Sequence, residues 1–130
     1  MRSTASAMRA VLLAAFLLGA LVPGAAGAQA VQLLVQSSPL AGFRYGEAAA
    51  LWERLAVGDA LDLATEPANP HDANAVRVGW RGHKLGYVPR RENAAVAWAL
   101  ARGVPLRARI SRLEPHPNPA RRLEFEVYLE

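Results

Sequence analysis

The sequence contains no cysteine, has few aromatic residues and is short. Its 130 residues include three tryptophans, three tyrosines and three phenylalanines, and Lys84 is the only lysine. The absence of cysteine excludes disulfides, thiolate zinc sites and thiol nucleophiles. The length allows one compact domain and excludes a multidomain enzyme. A formal charge of +4 permits an anionic partner but does not identify one.

Two catalytic signatures are also missing. The chain lacks G-x-x-x-x-G-K-[ST], which holds nucleotide phosphates, and G-x-S-x-G, which exposes a nucleophilic serine. His71, His83 and His116 do not recur at a spacing that would place them on one helix face, so they do not form a recognisable ligand set. We therefore expect no catalysis, no bound metal and no cofactor.

Residues 1–30 are typical of a secretory signal peptide. Two arginines precede an apolar run over residues 10–21, and small residues follow as far as Ala28 and Ala30. A membrane-spanning helix needs about 20 apolar residues, so this run is too short for a stable membrane anchor. The pattern predicts cleavage after Ala28 or Ala30, export to the periplasm or the medium, and a single domain over residues 31–130.

The rest of the chain alternates between strand-like and helix-like patterns. Residues 31–36 are β-compatible without strong alternation, most of the other expected strands alternate apolar and polar residues, and apolar residues recur at helical spacing where helices are expected. Strands are predicted at 31–36, 60–65, 75–80, 84–88, 106–113 and 123–129, and helices at 47–56 and 93–102. This order predicts a mostly β fold, with a small curled antiparallel sheet and two short α-helices. We expect the domain to be a monomer.

The apolar side of these elements predicts the core. Ten residues on the predicted strands and second helix are expected to pack together: Leu61, Leu63, Val76, Val78, Leu85, Val96, Leu100, Ile110, Phe125 and Val127. Trp52 and Trp98 stand beside apolar residues on the two predicted helices. We expect both indole rings to belong to the core.

The segment 66–74 is the densest group of turn-forming and polar residues. Pro67 and Pro70 restrict the backbone, while Asp72 and Asn74 can accept hydrogen bonds from nearby main-chain amides. One interpretation is a rigid connection between strands that needs no ligand. The other is a rigid loop that presents Asp72 and its neighbour His71 to a binding pocket.

A cation and an aromatic residue stand together ahead of each predicted helix. Arg44 and Tyr45 precede the first helix, and Tyr87 and Arg90 precede the second. Aromatic rings stack on bases and arginines contact phosphates, which is the pattern of proteins that bind single-stranded nucleic acid. The alternative is that Tyr87 and Phe43 pack in the core while the arginines are simply solvated.

Three segments together resemble the HIRAN domain. They are Leu40-Ala41-Gly42-Phe43-Arg44-Tyr45, the stretch from Leu63 to Val78 around segment 66–74, and Leu85-Gly86-Tyr87-Val88-Pro89-Arg90. The resemblance extends from about Leu40 to Glu130. It implies a modified OB-like β-barrel with helical additions, and a module that binds the free 3′ end of single-stranded DNA without catalysis of its own.

The resemblance also implies roles for individual residues. The positions that match the family's pocket are Arg44, Tyr45, Asn69, His71, Asp72, Tyr87 and Arg90. Arg44 and Tyr45 would contact phosphate and base, and His71 would lie beside the terminal base. Asp72 would accept a hydrogen bond from the 3′ hydroxyl.

Asn69 and Tyr87 would then line the pocket, and Arg90 would contact the DNA backbone. DNA-binding members have aromatic residues where this chain has His71 and Gly46, so part of the stacking surface is reduced. Two partners follow as alternatives. One is a single-stranded DNA end, and the other is an unknown periplasmic ligand or protein bound by an exported domain that keeps the fold.

Overall fold

A computed structural model describes residues 31–130, and the predicted signal peptide lies outside the described residues. Its six strands are β1 (Leu33–Pro39), β2 (Ala60–Thr65), β3 (Val76–Trp80), β4 (His83–Tyr87), β5 (Leu106–Leu113) and β6 (Leu123–Leu129). Its α-helices are α1 (Ala48–Leu51) and α2 (Ala94–Ala101). Short 3₁₀ turns lie at Trp52–Arg54, Arg90–Glu92 and Pro119–Arg121. The predicted mostly β fold with two short helices is confirmed.

All six strands form one antiparallel sheet in the order β1-β6-β5-β2-β3-β4. β6 lies between β1 and β5, and Phe125 of β6 is opposite Ser38 on one side and Ile110 on the other. The β3–β4 hairpin turns through Arg81 and Gly82, with φ angles of 47° and 84°. Two positive φ angles in a two-residue loop match the right-handed twist of a hairpin.

The sheet is open, so strand pairing does not form the closed barrel that the resemblance implied. β1 and β4 are its edge strands. Ala41, just beyond β1, exchanges two hydrogen bonds with Tyr87 of β4, each 2.9 Å between nitrogen and oxygen. Gly42 then adopts a φ of 73° and the chain turns away. The two edges are therefore joined by a single-residue bridge.

The core is built from the inward side of the sheet and one side of α2. Eight of the ten expected residues are buried, and Leu63 and Leu100 are half-buried against them. Further buried apolar residues come from the segment after β1 and from α1, among them Leu40, Phe43 and Leu51. These residues pack the loop and the first helix onto the sheet.

The prediction that both tryptophans belong to the core is wrong for Trp98 and only partly correct for Trp52. Trp98 of α2 is 58% exposed, and the Arg102 guanidinium lies 3.9 Å from the centre of its ring. Trp52 is half-buried at the margin of the core. α2 is apolar on nearly every side, because its sequence is Ala94-Ala95-Val96-Ala97-Trp98-Ala99-Leu100-Ala101. Its composition therefore does not indicate which side is buried.

The first helix is shorter than the predicted span 47–56. One α-helical turn is followed by one 3₁₀ turn, and Leu55 is already extended, with φ −76° and ψ 142°. The chain leaves the helix early because residues 58 and 59 pair with β5. The Gly58 N–H donates to the Ile110 carbonyl at 2.7 Å, and the Ile110 N–H donates to the Asp59 carbonyl.

β1 also differs, beginning at Leu33 and continuing through Pro39 where the prediction placed its end at residue 36. Pro39 is tolerated because β1 is an edge strand, which needs ladder donors on one side only. α2 ends at Ala101, and the predicted stop residue Gly103 follows with a φ of 74°, which suits the turn after a helix C-terminus. No helix within residues 31–130 is long and apolar enough to cross a membrane.

Candidate functional site

A cavity of about 600 Å³ opens between the β2–β3 loop, β4 and the start of α2. We call it the Asp72 cavity. Its lining residues are Ala41, Tyr45, Asn69, His71, Asp72, Ala75, Lys84, Tyr87, Val88, Arg90 and Asn93. Six of the seven site residues predicted from the sequence therefore lie around one space, although they come from three separate segments of the chain.

Arg44 is the predicted residue that lies outside this space. It lines an adjoining cavity of about 210 Å³, together with Tyr45, Asn118 and Pro119. Tyr45 borders both cavities and is 90% exposed. Its ring is thus available to a ligand on the rim between the two spaces.

The β2–β3 loop is held by its own side chains. The Asn69 side-chain oxygen accepts a hydrogen bond from the His71 N–H at 2.9 Å, and Asp72 Oδ1 accepts one from the Asn74 N–H at 2.9 Å. The Ala75 N–H also donates to the Asp72 carbonyl oxygen. Such side-chain acceptors stabilise consecutive turns. These hydrogen bonds within segment 66–74 agree with its interpretation as a rigid connection between strands.

Asp72 is also tied to the second helix. Its Oδ2 accepts a hydrogen bond from the side-chain amide of Asn93 at 2.7 Å, and Asn93 is buried at the residue before α2. The hydrogen bond from the Asn74 backbone, then that from Asn93 and the charge of Arg90, lower the pKa of Asp72. Asp72 is therefore an anion at neutral pH. Each carboxylate oxygen has two lone pairs, so capacity for another donor remains.

A second carboxylate fixes the wall of the cavity. Glu66 Oε1 accepts hydrogen bonds from the Tyr87 hydroxyl at 2.8 Å and from the Asn69 side-chain amide at 3.1 Å. The Tyr87 hydrogen bond is the main cause that lowers the pKa of Glu66, with Asn69 and Lys84 adding to it. The Lys84 ammonium lies 4.4 Å from the centre of the Tyr87 ring. These contacts hold the Tyr87 ring in place in the lining of the cavity.

Sequence reasoning missed three residues of this site: Glu66, Lys84 and Asn93. Glu66 begins the segment 66–74, and its role becomes visible only when β4 brings Tyr87 beside it. Asn93 could have been noticed as a polar residue at the predicted start of a helix. Lys84 follows a hairpin turn, and nothing in its local sequence distinguishes it from a solvated cation.

The histidines are not gathered around a shared point. Within residues 31–130, no group of three or more acidic or histidine side chains is arranged to hold a metal ion. His71 is on the Asp72 cavity, whereas His83 Nδ1 lies 3.2 Å from Glu47 Oε1. His116 belongs to the β5–β6 loop.

The open antiparallel sheet and its mixed aromatic and charged cavity define a small binding module. The HIRAN domain family model matches residues 33–130, so the chain belongs to the HIRAN domain family. HIRAN domains are known for nucleic-acid binding. Among curated proteins, none matches the chain significantly.

Two solved structures are similar to this chain. A protein from Lactobacillus plantarum is 28% identical with a TM-score of 0.66, covering 76% of this chain and 95% of that one. The HIRAN domain of human HLTF is 17% identical with a TM-score of 0.54, covering 76% of this chain and 80% of that one. At this identity, the likeness to human HLTF supports the fold alone.

Proposed function

We propose that this chain is a non-catalytic module that binds the 3′ end of single-stranded DNA in the Asp72 cavity. The observation that carries the proposal is the position of the Asp72 carboxylate, which lines a cavity together with aromatic and cationic side chains. A carboxylate repels phosphates, so it weakens binding to a continuous strand. It favours a strand end because the terminal hydroxyl can donate a hydrogen bond to it.

The cations around this carboxylate supply the attraction for the strand. Arg90 and Lys84 line the Asp72 cavity, and Arg44 lines the adjoining one. Each phosphate contact releases condensed counterions and adds affinity that falls with salt. The exposed ring of Tyr45 offers a surface for base stacking, which contributes about 1 to 3 kcal/mol per base. His71 lies where the resemblance implies a second aromatic residue, beside the terminal base.

The test separates end recognition from general affinity. The purified protein is titrated with a labelled oligonucleotide that ends either in a 3′ hydroxyl or in a 2′,3′-dideoxy nucleotide, which removes the donor without adding charge. A hydrogen bond to a charged group is worth about 1.5 to 3 kcal/mol, so we expect the hydroxyl end to bind roughly tenfold or more tightly. Asp72→Ala should abolish this preference and leave the affinity for the dideoxy end unchanged or higher.

A neighbouring pair of arginines provides the matched control. Arg90 and Arg91 are both exposed on the same 3₁₀ turn, but Arg90 alone of the two lines the cavity. Arg90→Ala and Arg44→Ala should weaken both oligonucleotides alike and reduce the salt slope by about 0.7 each, whereas Arg91→Ala should not. If wild-type protein shows no end preference, or binds no DNA at low salt, the proposal is wrong.

The second candidate is an exported domain that uses the same cavity for another ligand or a protein. The signal-peptide pattern of residues 1–30 favours it. We propose export, and expect intact-mass spectrometry of protein from the periplasm or medium to show a terminus that begins near Gln29 or Val31. Recovery of the chain in the cytoplasm with its first thirty residues retained would contradict export and would leave DNA as the favoured partner.

A further inference from the structure

A third cavity, of about 450 Å³, lies between α1 and the β5–β6 loop. It is lined by Phe43, Ala49, Trp52, Pro115, His116, Pro117 and Arg122. We call it the Arg122 cavity. It is formed where α1 and the segment before it meet the β5–β6 loop, so its walls come from two distant parts of the sequence.

The charged group of this cavity is the Arg122 guanidinium, a hydrogen-bond donor. Arg122 donates from Nε to the His116 carbonyl at 2.6 Å and from one terminal nitrogen to the Pro117 carbonyl at 3.4 Å. A guanidinium has five N–H donors, so three remain. None of the ion pairs within residues 31–130 involves Arg122. Its positive charge is thus not neutralised by a carboxylate, and no acidic residue lines the cavity.

His116 adds a donor of defined orientation. Its Nδ1 accepts a hydrogen bond from the Asn118 N–H at 2.9 Å. Because Nδ1 is the acceptor, the ring proton of the neutral imidazole lies on Nε2. The two polar side chains of this cavity therefore favour an anionic or acceptor-rich ligand.

Aromatic rings form the apolar part of the cavity. The rings of Phe43 and Trp52 meet edge to face, with centroids 5.8 Å apart. The Arg122 guanidinium carbon lies 5.3 Å from the centre of the Phe43 ring. Phe43 is buried, whereas Trp52 is half-buried and keeps part of its indole available. A cation beside a partly exposed indole is suited to a phosphate joined to a base.

The smaller cavity that contains Arg44 shares lining residues with both larger ones. It shares Phe43 with the Arg122 cavity, and it shares Ala41 and Tyr45 with the Asp72 cavity. The three cavities are therefore neighbours. A strand whose end is held beside Asp72 has a path past Tyr45 and Arg44 to Arg122.

We infer that the Arg122 cavity binds an upstream nucleotide of the same single strand, with Arg122 on its phosphate and Trp52 against its base. This inference rests on the proposed function, because the strand is placed by its captured 3′ end. It gives the module two contact sites for DNA, one for the 3′ end and one for an upstream nucleotide. Oligonucleotides too short to reach the second site should bind without its contribution.

The test is a length series of oligothymidylates that share a free 3′ hydroxyl. Wild-type affinity should rise roughly tenfold or more between the shortest and the longer oligonucleotides, since one stacked base contributes on the order of 1 to 3 kcal/mol. Arg122→Gln should lose most of this gain and bind the shortest oligonucleotide as wild type does. Arg121→Gln is the matched control, because Arg121 is an exposed neighbour outside the cavity.

Arg122 also holds the β5–β6 loop, so a milder variant provides an independent measurement. Trp52→Phe keeps a ring against Phe43 and removes the indole. Longer oligonucleotides should quench tryptophan emission in wild type, and this quenching should be lost in Trp52→Phe and absent with the shortest oligonucleotide. Quenching that persists in Trp52→Phe, or a length gain that persists in Arg122→Gln, would overturn the inference.

The outcomes also separate this inference from the proposed function. If the shortest oligonucleotide binds with preference for a 3′ hydroxyl but the length gain is the same in Arg122→Gln and Arg121→Gln, the Asp72 cavity is sufficient and the second site is wrong. If no oligonucleotide binds wild-type protein, both proposals are wrong.

Discussion

Truncating Phe125 to alanine is expected to lower the free energy of unfolding by about 3 to 5 kcal/mol. Phe125 is fully buried on β6, a central strand with partners on both sides. Removing its ring leaves a cavity that two flanking strands prevent from collapsing. A domain of this size is stable by only about 5 to 15 kcal/mol, so the variant should unfold at much lower urea concentration.

Leu63→Ala is the comparison that tests the physical reason. Leu63 is half-buried on β2 and already in contact with solvent in the folded protein. Its truncation therefore leaves less cavity and should cost clearly less than that of Phe125. Urea unfolding followed by circular dichroism measures both variants. Equal losses, or an unchanged midpoint in Phe125→Ala, would contradict the core described here.

Gly46→Ala is expected to cost about 1 to 3 kcal/mol or more, although it adds a single carbon atom. A Cβ at position 46 would lie 2.3 Å from the Leu85 carbonyl oxygen and 2.7 Å from its carbon. Neither atom can move away easily, because both belong to the backbone of β4. The next residue is fixed as well, since the Glu47 N–H donates to the Lys84 carbonyl at 2.8 Å.

This substitution should also weaken the proposed DNA binding, because relief of the clash displaces β4, which carries Lys84 and Tyr87. Gly79→Ala on the neighbouring strand is the matched control, since its Cβ would meet its nearest atom at 3.4 Å. Thermal unfolding and the oligonucleotide titration measure the two effects. Equal stability of Gly46→Ala and Gly79→Ala would contradict the close packing of residue 46 against the backbone of β4.

The same contact concerns a position where the resemblance implies an aromatic residue. An aromatic side chain at position 46 would need space that the Leu85 carbonyl occupies. The sequence shows that the ring is missing, but only the packing shows that this backbone leaves no room for one. If the proposed DNA binding is correct, base stacking has to come from other side chains of this surface.

The strands and the second helix could be predicted because their patterns are local. β5 and β6 alternate apolar and charged residues on a sheet with one buried side, and Gly103 marks the end of α2. The first helix was predicted too long because its end depends on pairing with β5, a strand about fifty residues later in the chain. Trp98 was placed wrongly because an all-apolar helix does not identify its exposed side.

The candidate site was predictable to the extent that its residues lie in short motifs. Segment 66–74 and the pairs around Arg44 and Arg90 stand out locally, whereas Glu66 and Lys84 acquire their roles through contacts across the sheet. Arg122 gives no local signal at all. Its surroundings are created when the β5–β6 loop folds against Phe43, which precedes it by about eighty residues.

The position of β6 between β1 and β5 affects when this chain can fold. The first strand of the domain has the last strand as its ladder partner, and β5 needs the same strand to complete its own pairing. Pairing of such distant segments is slow and cannot begin before β6 has left the ribosome. Until then, β1 and β5 lack the strand that lies between them. If the proposed export is correct, this topology delays completion of the sheet, which favours passage through a secretion channel that threads unfolded polypeptide.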